Sequence, residues 1–226
     1  AGYGRPGRLQ PLADEPAVEL ARAREQTAAE LWGGHATWRV VDDAGDFAPV
    51  SPTGLYVHDT LSARMHPRKA CLALVGALRM GGAEVVAHGD EVGPVIHATG
   101  IAGLEEMSAT TTRQIGTGVK GQAALLALDA GPVPQGFAGG VHVVPHADGT
   151  VAIGSTSERD YDDPASTDAA LDDVIAAARA AVPALAVGRR PVVVKRVLGT
   201  PVPALRPLCR SRWTVTSCPR ARRRVF

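Results

Sequence analysis

The chain has 226 residues, of which 45% are hydrophobic and 21% charged, with a formal net charge of +1. That length holds one large domain or two small ones around a real core, and the balance is that of an ordinary globular protein. Three cysteines without C-x-x-C spacing argue against a disulfide framework or a zinc site, and the absence of a signal peptide or a membrane-length apolar run leads us to expect a soluble, cytoplasmic setting.

Taken in chain order, the first predicted element is a helix over residues 16–31. Asp14 is placed to cap it, Pro16 suits its first turn, and Leu20, Ala23, Thr27 and Leu31 share one face. Residues 55–59 read as a short strand. A second helix starts at Pro67, carries Cys71, Leu74, Val75 and Leu78 on an apolar face, and ends at Gly81-Gly82. Cys71 on that face is expected to be a buried packing thiol.

Strands dominate the next stretch, at residues 84–87, 94–98, 122–128, 141–145 and 150–155. Asp148-Gly149 between the last two predicts a hairpin, so 122–128, 141–145 and 150–156 are expected in one largely antiparallel sheet. A third helix covers 168–182, with Leu171, Val174, Ile175, Ala178 and Val182 as its buried stripe. Residues 191–197 read as one more strand.

The charge is unevenly spread. Residues 1–188 carry 13 Lys/Arg against 23 Asp/Glu, whereas residues 189–226 carry 11 Lys/Arg and no acid. Such a tail can attract nucleic acid, but it has few aromatics to stack on bases and no recognisable binding module, so no nucleic-acid partner is expected. Residues 199–226 lack a sustained apolar period and are expected to have no packed core.

The usual hydrolase and metal motifs are missing: there is no G-x-S-x-G and no H-E-x-x-H. His142 and His146 lie four apart on a strand and turn, where that spacing does not bring side chains together. Gly2-Tyr3-Gly4-Arg5-Pro6-Gly7 imitates a dinucleotide fingerprint, but no strand precedes it and Pro6 removes a needed N–H. Two segments say more. Val95-Ile96-His97-Ala98-Thr99-Gly100 reads as an apolar strand ending in small residues, a place where backbone can approach a ligand. Gly116-Thr117-Gly118-Val119-Lys120-Gly121-Gln122 is glycine-rich, yet it precedes a strand and is no P-loop.

Taken together and in order, these segments resemble the FAD-dependent oxidoreductases of the D-amino-acid oxidase and glycine oxidase family. The resemblance is carried by Gly7-Arg8-Leu9, by Val95–Gly100 with Ala102-Gly103-Leu104, and by Gly118-Val119-Lys120-Gly121-Gln122. It continues through His142-Val143-Val144-Pro145, Asp148-Gly149-Thr150-Val151, Gly154-Ser155-Thr156-Ser157-Glu158 and Val182-Pro183-Ala184-Leu185, covering roughly residues 3–187.

The resemblance implies a mixed α/β (α+β) fold: part of an FAD-binding three-layer domain plus a mainly antiparallel substrate-binding sheet with helices. Residues 1–60 would be the remainder of the FAD domain and the entry to the substrate domain. Residues 61–115 would be a further FAD-domain portion, 116–198 the substrate-binding domain, and 199–226 an aberrant or disordered basic tail. FAD is the implied cofactor, with Ala98, Thr99, Gly100 and Lys120 near it. A small amino acid or amine is the implied substrate, facing His142, Ser157 and Arg206, the last as a carboxylate anchor in Leu205-Arg206-Pro207. Relatives near glycine oxidase often carry tyrosine where this chain has His142, which reads equally well as a structural sheet residue. The implied reaction is hydride transfer from the substrate to flavin; the alternative is a non-catalytic truncated or frameshifted remnant of such an enzyme.

Overall fold

The computed structural model of the protein describes residues 2–90, 93–187, 192–201 and 224–225. The strands are β1 (Arg8–Pro11), β2 (Trp38–Val41), β3 (Tyr56–Asp59), β4 (Glu84–Val85), β5 (Gly116–Ala127), β6 (Gln135–Ala138), β7 (Val141–His146), β8 (Thr150–Gly154), β9 (Val192–Pro201) and β10 (Arg224–Val225). The helices are α1 (Glu15–Trp32), α2 (Pro67–Met80), α3 (Gly100–Ala109) and α4 (Ala169–Ala181), the last followed by a 3-10 turn at Pro183–Val187. Contacts divide the chain into two compact units, residues 1–67 with 120–197 and residues 68–119 with 198–226.

The first unit is built on a sheet ordered β2-β3-β1-β6-β7-β8-β5-β9. The β1–β6 pair is parallel, while β2–β3, β3–β1, β6–β7, β7–β8 and β8–β5 are antiparallel. The expected shared sheet of 122–128, 141–145 and 150–156 is therefore present as β5, β7 and β8. The hairpin is where Asp148-Gly149 placed it, with Gly149 in the left-handed region and His146 opposite Thr150.

Period-2 patterning decides which side of this sheet is closed. Val141, Val143, Val151, Ile153 and Leu126 are buried together and pack against Ala178, Val182 and Leu185 of the α4 region. Asp168 caps α4 by accepting from the Ala170 N–H at 3.0 Å, and Leu171, Ile175 and Ala178 form its buried stripe, as the sequence pattern predicts. Helix α1 covers a different region. Val18 and Ala21 pack with Leu12 and Val57, and the Trp38 indole N–H donates to the Ala21 carbonyl at 2.9 Å. Register puts Val57, Asp59, Arg8, Gln135, Phe137 and His142 on one face and Val143 and Ile153 on the other. Thus α1 and α4 lie on opposite faces, over different strands.

Several expectations are corrected. The buried face of α1 is Val18, Ala21 and Ala28, not the Leu20–Leu31 stripe; Leu31 is 78% exposed. Small alanines let the helix lie close to the sheet, so the largest apolar residues did not mark the contact. On α2 only Ala70 is buried; Cys71 is exposed, as are Leu74 and Leu78. The apolar period forms the helix, but the stripe is open to solvent. Residues 94–98 form no strand, and Ile96 is 90% exposed. A strand needs a ladder partner, and β4 instead pairs in parallel with β10. The chain then opens α3 directly at Gly100, where a strand end was expected. Strands β1, β2 and β6 are too short to show a period in the sequence. Of the 199–226 tail, residues 199–201 belong to β9 and 224–225 to β10; residues 202–223 and 226 lie outside the described residues.

Candidate active site

The face opposite α4 is where polar chemistry collects. Strand register places His142 opposite both Phe137 and Gly154, Val144 opposite Ala152, and Ala123 opposite Gly154. Ala123, Ala152 and Gly154 stand lower than their neighbours, so this part of the sheet is a shallow floor. The Phe137 and His142 rings lie 4.6 Å apart at 36° and form a wall beside it. Burial, and then the nearby Arg8 guanidinium, push the His142 imidazole below its ordinary pKa. Titration of the His142 ring protons should therefore give a midpoint below that of a free histidine. Replacing Arg8 by Gln should move it up; an unperturbed midpoint in both proteins would contradict this placement.

Arg8 stands at the border of the floor, on β1. Its Nε donates to Asp59 Oδ2 at 3.0 Å, and Asp59 Oδ1 accepts from the Ser62 N–H at 2.8 Å. Gly7 explains how β1 comes so close. It has φ +85, and a side chain there would meet the Asp59 carbonyl and the His58 ring at 2.5 Å.

A second cluster ties the end of β8 to α4. The Lys120 ammonium, on a residue 3% exposed, lies 3.5 Å from Glu158 and 3.6 Å from Asp168. The Gln122 amide, on a residue 1% exposed, donates to Glu158 at 3.0 Å and to Asp168 at 2.9 Å, and accepts from the Asp168 N–H at 2.9 Å. Thr156 joins by hydrogen-bonding Glu158 and accepting from the Gln122 N–H. These bonds hold Glu158 and Asp168 below the usual carboxylate range: for Glu158 chiefly those from Thr156 and Gln122, for Asp168 those from Gln122 and the Ala170 N–H.

The expected site residues thus separate. His142 lies on the open face and Ser157 is exposed between Thr156 and Glu158. Lys120, expected near the cofactor, is enclosed between two carboxylates, so its charge is already matched. Ala98, Thr99 and Gly100 are exposed in the second unit, and Arg206 lies outside the described residues. Sequence reasoning gave no role to Gln122, Glu158 and Asp168, and met Arg8 only inside a family signature. Recognising β1 as a strand would not have been enough, because Arg8 shares the face of His142 through the β1–β6 and β6–β7 registers.

The fit to FAD can be judged at Gly100. This residue has φ +63 and opens α3, and Thr99 makes no side-chain cap bond. The first-turn N–H groups of α3 are therefore uncapped by Thr99, at an exposed left-handed glycine that lets backbone approach a ligand. That arrangement fits contact with an anionic or carbonyl part of a cofactor. Among the described residues no group of three or more His, Cys, Asp or Glu could hold a metal, and no helix is long and apolar enough to cross a membrane.

Comparison with known proteins gives the family. The structure is similar to iminodiacetate oxidase from Chelativorans sp. BNC1, with a TM-score of 0.67 at 19% identity over 90% of this chain and 62% of that one. It is similar to glycine oxidase from Geobacillus kaustophilus, with a TM-score of 0.69 at 15% identity over 88% of this chain and 60% of that one. It is similar to L-amino acid deaminase from Proteus vulgaris, with a TM-score of 0.61 at 16% identity over 88% of this chain and 58% of that one. The chain therefore spans about six tenths of the length of these proteins. No curated protein sequence matches it. The family model described as FAD dependent oxidoreductase (DAO) matches residues 1–215. The uneven mixed sheet, with helices on opposite faces and a small-residue floor left open, is thus the fold of a flavoprotein, and the chain belongs to the DAO family of FAD dependent oxidoreductases, whose cofactor is FAD.

Proposed function

We propose that the protein to which this chain belongs oxidises an amino acid or a related amine by hydride transfer to flavin. What supports this reading is the family match over residues 1–215 together with the open face of the first unit, where an imidazole, an aromatic ring and an arginine border a floor of small residues. When bound, FAD would supply the electron-accepting chemistry, as acceptor of a hydride from the substrate carbon that bears the nitrogen. The chain's own residues bind and orient. Ala98, Thr99 and Gly100 would contact the cofactor through backbone N–H groups. His142 and Ser157 would face the substrate. The substrate would react as the neutral amine, so His142, whose pKa is lowered, is not required as a base. The oxidised substrate is an imine, which water hydrolyses to a carbonyl compound and an amine or ammonia. Within this reading, residues 61–115 serve the cofactor and 116–198 the substrate.

The test is to purify the full-length gene product, record its flavin absorption spectrum, and screen amino acids and amines without oxygen for bleaching of that spectrum. Bleaching by at least one amine or amino acid is expected. A colourless protein that takes up no FAD, or a yellow one that no such compound reduces, would overturn the proposal. Gly100→Val is expected to weaken FAD binding about tenfold, because a β-branched residue is strained at positive φ and would displace the start of α3. Fluorescence titration of FAD measures it, and unchanged affinity would remove Gly100 from the cofactor site.

A further inference from the structure

We propose that a one-residue β-bulge at Ser155, locked by Lys120, Gln122 and Glu158, turns the Ser157 hydroxyl onto the open sheet face, and that Gln122 is thereby a positioning residue for substrate binding; the last clause rests on the function proposed above. Strand register carries the first part. Ala124 of β5 stands opposite Ile153 of β8, and Ala123 opposite Gly154. Continued unchanged, that pairing would bring Gln122 opposite Ser155 and Lys120 opposite Ser157. Instead Lys120 is bridged to Glu158: its N–H donates to the Glu158 carbonyl at 2.8 Å, and the Glu158 N–H donates back at 2.9 Å. The Thr156 N–H donates to the Gln122 carbonyl at 3.2 Å. One extra residue, Ser155, has thus entered on the β8 side.

A shift of one residue exchanges the two faces of a strand. Ile153 lies beneath α4, and past the bulge it is Thr156 and Glu158 that reach the buried Gln122 and Lys120 on that side. Ser157 alternates with them. It stands opposite Gly121, on the face of Ala123, Gly154 and His142. Without the bulge Ser157 would meet Lys120 beneath α4, and Glu158 would be carried to the open face. The cluster disfavours that register. The Lys120 ammonium, 3.5 Å from Glu158, would lose one of its two carboxylates while buried, and the Gln122 amide would lose a bond of 3.0 Å. The Thr156 hydroxyl closes the ladder where the bulge opens it, accepting the Gln122 N–H at 2.8 Å. The open face therefore carries a neutral hydroxyl in place of a carboxylate. A hydroxyl can accept from the N–H of a neutral amine, so the bulge supplies a binding group that a regular strand would have hidden.

The experiment uses the full-length gene product and the amine or amino acid that best bleaches its flavin. Ser157→Ala should raise KM about tenfold and leave kcat within about twofold, because a bond made equally to substrate and transition state is lost. Gln122→Leu should raise KM as well, and the double variant should raise it no further than Ser157→Ala alone, since a displaced hydroxyl and an absent one are equivalent. If Gln122→Leu does not fold by circular dichroism, Thr156→Val takes its place in the cycle. Unchanged KM in Ser157→Ala, or effects of the two changes that multiply, would overturn the proposal. The register is read without activity. In protein labelled at glycine and serine, the α-protons of Gly121 and Ser157 should give a nuclear Overhauser contact, as facing residues between hydrogen-bonded pairs do. Its absence would remove the bulge and the proposal with it. The two readings fail separately. Bleaching by an amine with KM unchanged in Ser157→Ala keeps the function and removes the positioning role. The Gly121–Ser157 contact in a protein whose flavin no amine or amino acid bleaches keeps the turned hydroxyl and removes the function on which its use rests.

Discussion

Replacing Ile153 by alanine is expected to destabilise the protein by about 4 kcal/mol, measured by chemical denaturation. Ile153 is fully buried in the middle of β8, opposite Val143 on one side and Ala124 on the other, and α4 closes over it. Three elements meet at this side chain, so the sheet cannot collapse into the space it leaves without moving the helix. The cost is therefore the lost transfer of the removed atoms plus a cavity that persists. The control is Leu31→Ala on α1, a large apolar residue by sequence but exposed in the structure, expected to cost within about 0.5 kcal/mol. Equal losses in the two variants would mean that the buried faces have been misassigned.

That contrast also shows where the sequence speaks clearly. The β7–β8 hairpin and α4 were legible because each carries its own local signal: alternating apolar residues, Asp-Gly at the turn, an aspartate cap and an i, i+3, i+4 stripe. The face of α1 was not, because alanines make its contact and a count of large apolar residues passes over them. The apolar run at 94–98 misled for the opposite reason. Its composition suits a strand, but strand formation depends on a partner elsewhere in the chain, and no local pattern reports that partner. The site divides in the same way. His142 and Ser157 are proposed from family motifs, whereas the Arg8–Asp59 pair joins residues 51 positions apart through a four-residue strand with no period to detect.

The carboxylates of the second cluster add a dependence on acidity. Glu158 and Asp168 both have pKa values lowered by hydrogen bonds formed only in the folded chain. In the unfolded chain they bind protons at the ordinary carboxylate pKa, so the folded state binds fewer protons between the two values. Stability from this source is complete above the ordinary carboxylate range and is lost as pH falls through the lowered values. Glu158→Gln and Asp168→Asn should each make the acid limb of a stability–pH profile shallower. An acid limb of unchanged slope in both variants would show that other carboxylates govern it.

The largest consequence of that cluster should follow from Gln122→Leu, expected to cost about 3 kcal/mol in denaturation. Leucine is close to glutamine in volume, so the packing change is small and the loss isolates the polar bonds. Three side-chain bonds disappear, and they do not fail independently. The Asp168 N–H loses its acceptor beside the start of α4, and Glu158 and Asp168 each lose a donor. Lys120 keeps both carboxylates, but the amide that spaces them is gone. The segment from the end of β8 to α4 is fastened to β5 at Thr156, Glu158 and Asp168, and Ser157 lies between the first two. Backbone bonds between Lys120 and Glu158 remain, so the segment should loosen rather than detach. Amide hydrogen exchange over residues 155–168 should therefore rise more than global stability alone accounts for, while β7 keeps its protection relative to the whole. A cost below about 1 kcal/mol, or exchange at 155–168 that rises only in step with β7, would show that the cluster fixes neither α4 nor the segment bearing Ser157.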